Sequence, residues 1–535
     1  MDVDIECCKT SYGKIGVKIL YVNRDSPVHQ IKEFQVGTAL KNDSDDELHG
    51  DNRKIVPTDT QKNTIYILAK KYGIKSAEAF ALIVSNWFIE KYPWVIEAKI
   101  DIKEMPWQRV EKNGEKHIHA FVNSHDAIKV CEVIQAKGEQ PRVTSGVSGL
   151  HFIKTGQSGF ENFNQCSFTV LPDSRDRILS SVVDGTWTYN NVHGMDFCKT
   201  WKSIKDCILD IIVGPPKTGV YSGGVQETAF TIEKEIMKKF PQVERIKLTM
   251  PNVHYFNFDF SKFRSLPYKD DNTVGTALKN DSGDELHGDN RKLVATDTQK
   301  NTIYILAKKY GIKSAEAFAL IVSNWFIEKY PWVIEAKIDI KEMPWQRVEK
   351  NGEKHIHAFV NSHDAIKVCE VIQAKGEQPR VTSGVSGLHF IKTTQSGFEN
   401  FNQCSFTIMP YSRDRVLSSV IDSTWTYNNV HGMDFDKTWK TIKDCILDIV
   451  VGPPKTGVYS GGVQGTAFTI EKEIMKKFPQ VERIKVTMPN MHYFKFDFSK
   501  FRSLPYKDDN TVFVPQTNPS GLIVTEAYRK PNSKL

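Results

Sequence analysis

The chain has no C-x-x-C pair, no G-K-[ST] phosphate loop, no basic and apolar leader, and no uninterrupted apolar run of about 18 residues. Each absence excludes something. Its nine cysteines, an odd number with no C-x-x-C among them, fit reduced thiols in an intracellular protein better than a disulfide framework. Without a long apolar run, no membrane-spanning helix is expected. The opening residues MDVDIECCKT are acidic and do not read as a signal peptide. A net charge of +7 over 535 residues, with Lys and Glu interleaved, gives no basic face for nucleic acid. With 40% hydrophobic and 25% charged residues the composition is that of an ordinary globular chain.

What the chain has in abundance is repetition. Residues 275–512 restate residues 37–274 without a gap, at a constant offset of 238 (275 − 37), and seventeen of the 238 positions differ. GTALKNDSDDELHGDNRKIVPTDTQKNT becomes GTALKNDSGDELHGDNRKLVATDTQKNT, and YKDDNTV closes both copies. Repeats of about 20 to 50 residues signal solenoids or propellers; a unit this long is a whole folded module. Residues 1–36 and 513–535 occur once, so removing one copy leaves 535 − 238 = 297 residues with a single head and tail. The expected division is copy one at 1–274, with a unique N-terminal hairpin within 1–36, and copy two at 275–535. Copy two then lacks the hairpin and ends in the unique tail 513–535.

Within the unit, hydrophobic periodicity orders the elements. SYGKIGVKILYVN alternates as a strand, and His29 to Ala39 returns as the second strand of a hairpin. Two helices follow, NTIYILAKKYG with N-caps supplied by Thr58, Asp59 and Thr60, and SAEAFALIVSNWFIEKYP capped by Ser76. Strands then run through WVIEAKIDIKEMPWQRV, HIHAFVNS, IKVCEVIQAK, LHFIKTG and DRILSSVVDGTWTYN. Two amphipathic helices and the long strand VERIKLTMPNVHYFNFDF close the unit. This is an α+β pattern with largely antiparallel pairing and helices on one face. Its rhythm suggests two related subdomains in each copy.

Familiar chemistry is hard to place on this frame. GPPKTGVYSGG has glycines near a lysine but lacks the phosphate-loop signature. His117 and His119 share a strand face, yet no ligand lies at zinc spacing, which favours a structural or surface role. What remains is a set of polar residues at element ends. Arg177 opens a strand after an irregular stretch containing Phe160, and Val225 and Gln226 open a helix after Ser222-Gly223-Gly224. Asn252 and His254 alternate along the last strand. Thr58 and Asp59 start a helix whose free N–H groups can hold an anion, and Lys14 follows a glycine early in the first strand. Taken singly, Thr58 reads as a cap, Phe160 as core and His254 as a satisfied strand residue. Taken together, arginine and glutamine forks, a stacking ring and backbone donors suit a flat, anionic, amide-rich heterocycle.

YGK near the start, VPTDTQKNT, QSGF, SRDR, SGGVQ, MPNVHYF and the final SKL, in that order, together resemble urate oxidase (uricase) over the whole 297-residue unit. The resemblance implies the tunnelling fold, in which two related units per subunit build an antiparallel barrel with helices outside and active sites lie at subunit interfaces. It implies urate and O2 as substrates, with O2 as co-substrate and no metal or organic cofactor, and 5-hydroxyisourate and hydrogen peroxide as products. Matched residue by residue, Lys14, Thr58 and His254 correspond to the catalytic group. Thr58, Asp59, Phe160, Arg177, Val225, Gln226 and Asn252 correspond to the urate-binding group. Copy two repeats them as Thr296, Asp297, Phe398, Arg415, Val463, Gln464, Asn490 and His492, none altered. A lysine of lowered pKa would draw a proton through the threonine hydroxyl. Arginine and glutamine would clamp the purine edge, and asparagine and histidine would position O2 or water. A homo-oligomer or an intrachain pseudo-dimer is expected. Ser533-Lys534-Leu535 reads as a peroxisomal address for the import receptor.

The duplication departs from the family pattern in one respect that matters. Position 14 + 238 is Asn252, inside the last strand of copy one, so copy two repeats no lysine equivalent to Lys14. The chain therefore carries two sets of clamp residues and one catalytic lysine. Loss of the hairpin should also leave copy two with an unpaired sheet edge, unless the two copies share the single head and tail in one barrel. Two function classes stand open: a urate oxidase with at most one complete site per chain, and a non-catalytic product of duplication that binds purines or only assembles.

Overall fold

The computed structural model describes residues 11–43, 53–124, 127–159, 174–251, 253–254, 274–281, 292, 294–361, 365–397, 411–501 and 511–529. Phe160, Asn252, Phe398 and the tripeptide Ser533-Lys534-Leu535 lie outside this set, and His254 and Asp297 are described in their backbone alone. Copy one runs β1 (Tyr12–Asn23), β2 (Gln30–Asn42), α1 (Thr58–Tyr72), α2 (Ala77–Lys91), β3 (Val95–Glu104), β4 (Trp107–Lys112), β5 (Glu115–Asn123), β6 (Ile128–Ala136) and β7 (Arg142–Lys154). It continues with β8 (Leu179–Tyr189), α3 (Phe197–Val213), α4 (Val225–Lys239), β9 (Val243–Thr249) and β10 (Val253–His254). Copy two begins at β11 (Val274–Asn280), the remnant of β2, followed by α5 (Thr296–Tyr310) and α6 (Ala315–Lys329). Then come β12 (Val333–Glu342), β13 (Trp345–Lys350), β14 (Glu353–Asn361), β15 (Ile366–Ala374), β16 (Arg380–Lys392) and β17 (Leu417–Tyr427). The chain finishes with α7 (Phe435–Val451), α8 (Val463–Lys477), β18 (Val481–Lys495) and β19 (Val512–Tyr528).

All strand ladders between these elements are antiparallel. They link the copies into one series: β11, β12, β15, β16, β17, β18, β19, β1, β2, β3, β6, β7, β8, β9. The turning point of that series is the pairing of head with tail, where β1 meets β19 at Leu20↔Phe513 and Tyr21↔Val512. Two shorter ladders bind the copies again, β5 to β16 and β14 to β7. Helices pack onto the sheet, α2 on β3 and β6, α6 on β12 and β15, α8 on β18 and β19. This is the α+β, antiparallel arrangement that the tunnelling fold requires. The cores cross between copies as well: Phe496, Phe498 and Val512 lie in the cluster built mainly by copy one, where Tyr66 stacks on Phe496 at 4.4 Å.

The other end of the series is left short. Among the described residues β11 pairs with β12 alone and β9 with β8 alone. Burial reports the consequence. Leu40 on β2 is fully buried while its counterpart Leu278 on β11 is half-buried, and Ile484, Val486 and Met488 are buried where Ile246, Leu248 and Met250 are not. Among the described residues, the covering strand that copy two gains from the tail, and copy one from the head, has no equivalent there.

Where the copies meet, each buries a lysine. Lys392 Nζ donates to Val450 O (3.1 Å), Val458 O (2.8 Å) and Ser460 Oγ (2.9 Å), and Lys154 Nζ donates to Val220 O and Ser222 Oγ. His117 and His119 stand nearby, buried, with His117 Nε2 against Val451 O at 2.8 Å across the copies. Burial pulls Lys392 down from 10.5 to about 7 and Lys154 to about 8. The unfolded chain keeps those protons up to its ordinary value, so between these values it binds more protons than the folded protein. Stability must then rise with pH through the window from about 7 to 10.5, by roughly 1.4 kcal/mol for each pH unit crossed per lysine. Thermal midpoints measured from pH 7 to 9.5 should climb, and Lys392→Met should flatten that slope whatever it does to the midpoint at pH 7.

Candidate active site

The head strand reaches the site through a bulge. β1 and β2 are in register at Lys14↔Thr38 and again at Val17↔Val36, so two residues, Ile15 and Gly16, face one on β2. Gly16 takes φ +71°, and at Gly13 a Cβ would stand 1.8 Å from the carbonyl oxygen of Thr38, so neither tolerates a side chain easily. Lys14 N–H donates to Thr38 Oγ1 at 3.2 Å, and the Thr38 hydroxyl donates to Gln61 Oε1 at 2.6 Å. Gln61 Nε2 in turn donates to Val56 O at 2.9 Å. Val56 N–H donates to the hydroxyl of Tyr12 at 3.1 Å, two residues before the lysine.

Thr58 does not cap α1. Pro57 occupies the N-cap position at φ −51° and ψ 139°, and Thr58 is the first helical residue; Ala295 and Thr296 take the same places in copy two, so the entry does not depend on proline. No side chain caps the turn, which leaves its backbone N–H groups uncommitted to one. Thr58 and Asp59 are exposed. Hydrogen bonding and charge from Lys62 hold the Asp59 carboxyl below its ordinary range, with a smaller contribution from the charge of Lys14. The cap expected for the second helix is present: Ser76 Oγ accepts from Ala79 N–H at 3.1 Å.

The clamp of copy two is gathered by β17, β18 and α8. Arg415 is anchored by its N–H to Ser396 O at 2.9 Å, and its Nη2 lies 3.0 Å from His492 Nδ1. Guanidinium can only donate, so Nδ1 accepts and Nε2 carries the imidazole proton. Burial and then the arginine charge keep His492 below its ordinary pKa, which favours the neutral ring. On β18, Asn490 pairs with Gly521 and His492 with Gln516, so four residues of β19, 517–520, bulge opposite Met491. Val463, buried, and Gln464, exposed, open α8 behind Gly462, again without a side-chain cap.

Copy one presents the same parts with less around them. Arg177 N–H donates to Ser158 O at 2.8 Å, Val225 and Gln226 open α4 behind Gly224, and the His254 backbone pairs with Leu179. In copy two Thr296 opens α5 with Asp297 next to it, behind Ala295 in place of Pro57. The polar bracket is retained there, Thr276 Oγ1 to Gln299 Oε1 at 2.6 Å and Gln299 Nε2 to Val294 O at 2.8 Å, with no lysine strand beside it among the described residues.

Sheet order sets how many strands lie between Lys14 and each candidate clamp. From β1 to β18, which carries Asn490 and His492, is two steps through β19, or about 10 Å at the usual strand spacing. From β1 to β10, which carries His254, is six steps through β2, β3, β6, β7 and β8, or about 29 Å along the sheet. The β1–β19 ladder pairs Leu20 with Phe513 and Tyr21 with Val512, and Phe513 in turn pairs with Lys495 on β18, three residues from His492. Tyr12, Thr38 and Gln61 were not legible as site residues, since their bonds join positions 23 to 44 apart. Among the described residues no group of three or more His, Cys, Asp or Glu is arranged to hold a metal, and no helix is long and apolar enough to cross a membrane.

The uricase family model matches residues 10–134, 143–284, 272–372 and 381–524, two stretches for each copy. The uricase of Oryctolagus cuniculus is 40% identical over 260 residues, which cover 48% of this chain and 87% of that protein. That of Drosophila melanogaster is 41% identical over 290 residues, 49% of this chain and 82% of that protein. Among solved structures, the uricase of Arthrobacter globiformis covers 51% of this chain and 93% of its own at 28% identity, with a TM-score of 0.46. Matches that use half of this chain and most of the relative are what two copies of one unit produce. The chain belongs to the uricase family, with the family's unit written twice.

Proposed function

We propose that the chain oxidises urate with O2 to 5-hydroxyisourate and hydrogen peroxide, without a metal or organic cofactor, at one complete site that spans its two copies. Lys14, Thr58 and Asp59 come from copy one; Phe398, Arg415, Val463, Gln464, Asn490 and His492 come from copy two. The observation that carries this reading is the β1–β19 pairing, which sets the lysine strand two steps from the strand of Asn490 and His492.

Urate is an anion near neutral pH, and its reaction with O2 needs a more electron-rich form. Lys14 accepts a proton through the Thr58 hydroxyl, which raises the charge on the purine. The uncapped first turns of α1 and α8 offer N–H groups to that charge, and Arg415 with Gln464 holds the purine edge in a planar fork. His492, neutral with its hydrogen on Nε2, donates toward O2 or water beside Asn490. The remaining set, Thr296 and Asp297 with Phe160, Arg177, Val225, Gln226, Asn252 and His254, has no lysine and turns nothing over. Import into the peroxisome through Ser533, Lys534 and Leu535, and assembly with further copies, complete this reading.

The purified chain should consume O2 on addition of urate and release hydrogen peroxide in equal amount, with loss of urate absorbance. Urate binding with no peroxide would instead support the non-catalytic class.

A further inference from the structure

We infer that Gln61 is a positioning residue for Lys14, tying the strand that carries the lysine to the turn that carries Thr58. The inference rests on the reading of Lys14 as the base. Gln61 is fully buried, unusual for an amide in the first turn of a helix whose Thr58 and Asp59 are exposed. Both ends of its side chain are engaged, Oε1 by the Thr38 hydroxyl and Nε2 by the carbonyl of Val56. The Thr38 oxygen takes the Lys14 N–H, and Val56 N–H reaches back to Tyr12. The bonds thus close a ring: Lys14 to Thr38, to Gln61, to Val56, to Tyr12, and along β1 to Lys14 again.

Such a ring is needed because the bulge removes the ordinary ladder at this point. Between Lys14↔Thr38 and Val17↔Val36 the strand is out of step, and Ile15 is 87% exposed, so packing does not hold the backbone there. A side-chain hydroxyl replaces the missing ladder contact. Gln61 also sits three residues after Thr58, so one amide fixes the lysine backbone against the threonine turn. Displacement by about 1 Å of a group that must exchange a proton can cost about a hundredfold in rate without much loss of binding.

Copy two supplies the control. Gln299 makes the same two bonds, to Thr276 and to Val294, in a turn that differs only by Ala295 for Pro57 and has no lysine strand beside it among the described residues. The experiment compares Q61L and Q299L in the full chain, with K14A alongside, by steady-state urate turnover and thermal melting. Expected is a fall in kcat of about a hundredfold for Q61L with KM changed less than about threefold, and turnover within twofold of the parent for Q299L. A third variant, Q61E, keeps the reading testable if Q61L melts early. Its carboxylate cannot donate to Val56 O, whereas the protonated acid can. Its rate relative to the parent chain should therefore recover as pH is lowered. Equal losses in Q61L and Q299L, or no pH recovery in Q61E, would show a merely structural amide and overturn the inference. Inactive K14A with Q61L near the parent rate would overturn it too, while leaving the lysine as base. Active K14A would instead remove the functional reading beneath it.

Discussion

Lys14→Ala should lower urate turnover by about three orders of magnitude, the scale of a positioned general base, while leaving the melting transition close to that of the parent chain. The side chain leaves from the end of β1, beside a bulge and with Ile15 exposed next to it, so little packing depends on it. No second lysine can compensate. The offset of 238 puts Asn252 at the repeated position, and β11 starts where the head strand has already been lost. An ordinary tandem fusion would keep half its rate when one site is destroyed; this chain should keep almost none. Oxygen uptake and the fall in urate absorbance measure the same loss independently. Turnover near that of the parent chain would refute the assignment of Lys14 as base.

Much of this was legible in the sequence because it is local. The alternation of the strands and the Ser76 cap are decided within a few residues, and the structure shows them where they were expected. The tail was harder. β19 contains Pro515, Pro519 and Gly521, residues that ordinarily break a strand. It forms because β18 and β1 lie on either side of it, and those neighbours are remote in sequence. Thr58 was misplaced for the opposite reason. A threonine before a helix usually caps it, but the chain enters the helix one residue earlier, at Pro57 in copy one and Ala295 in copy two, which puts the threonine in the first turn. The Gln61 bracket has no sequence signal at all, since a buried glutamine in TDTQKNT looks like any surface amide until Thr38 is seen across from it.

The pairing of head and tail makes the two clamps unequal although their residues are identical, and this is open to a direct test. Arg415→Ala should reduce kcat/KM by about 10²–10³-fold, as expected for loss of one charged donor at a developing anion. It also frees His492 Nδ1, which Arg415 holds at 3.0 Å, so the ring's protonation should shift and the acid limb of the pH profile should move. Arg177→Ala, the same substitution in copy one, should leave kcat/KM within about threefold, because five strands separate β10 from the strand of Lys14. Identical residues in nearly identical local sequence would then differ a hundredfold in importance, and the order of strands between them accounts for it. The reverse result, Arg177 essential and Arg415 dispensable, would mean that Lys14 acts on the clamp of copy one, and the working site would then have to form between separate chains. Equal losses would place both arginines in competent sites and require a second base in copy two. Only the asymmetric outcome follows from a single lysine strand inserted next to β19.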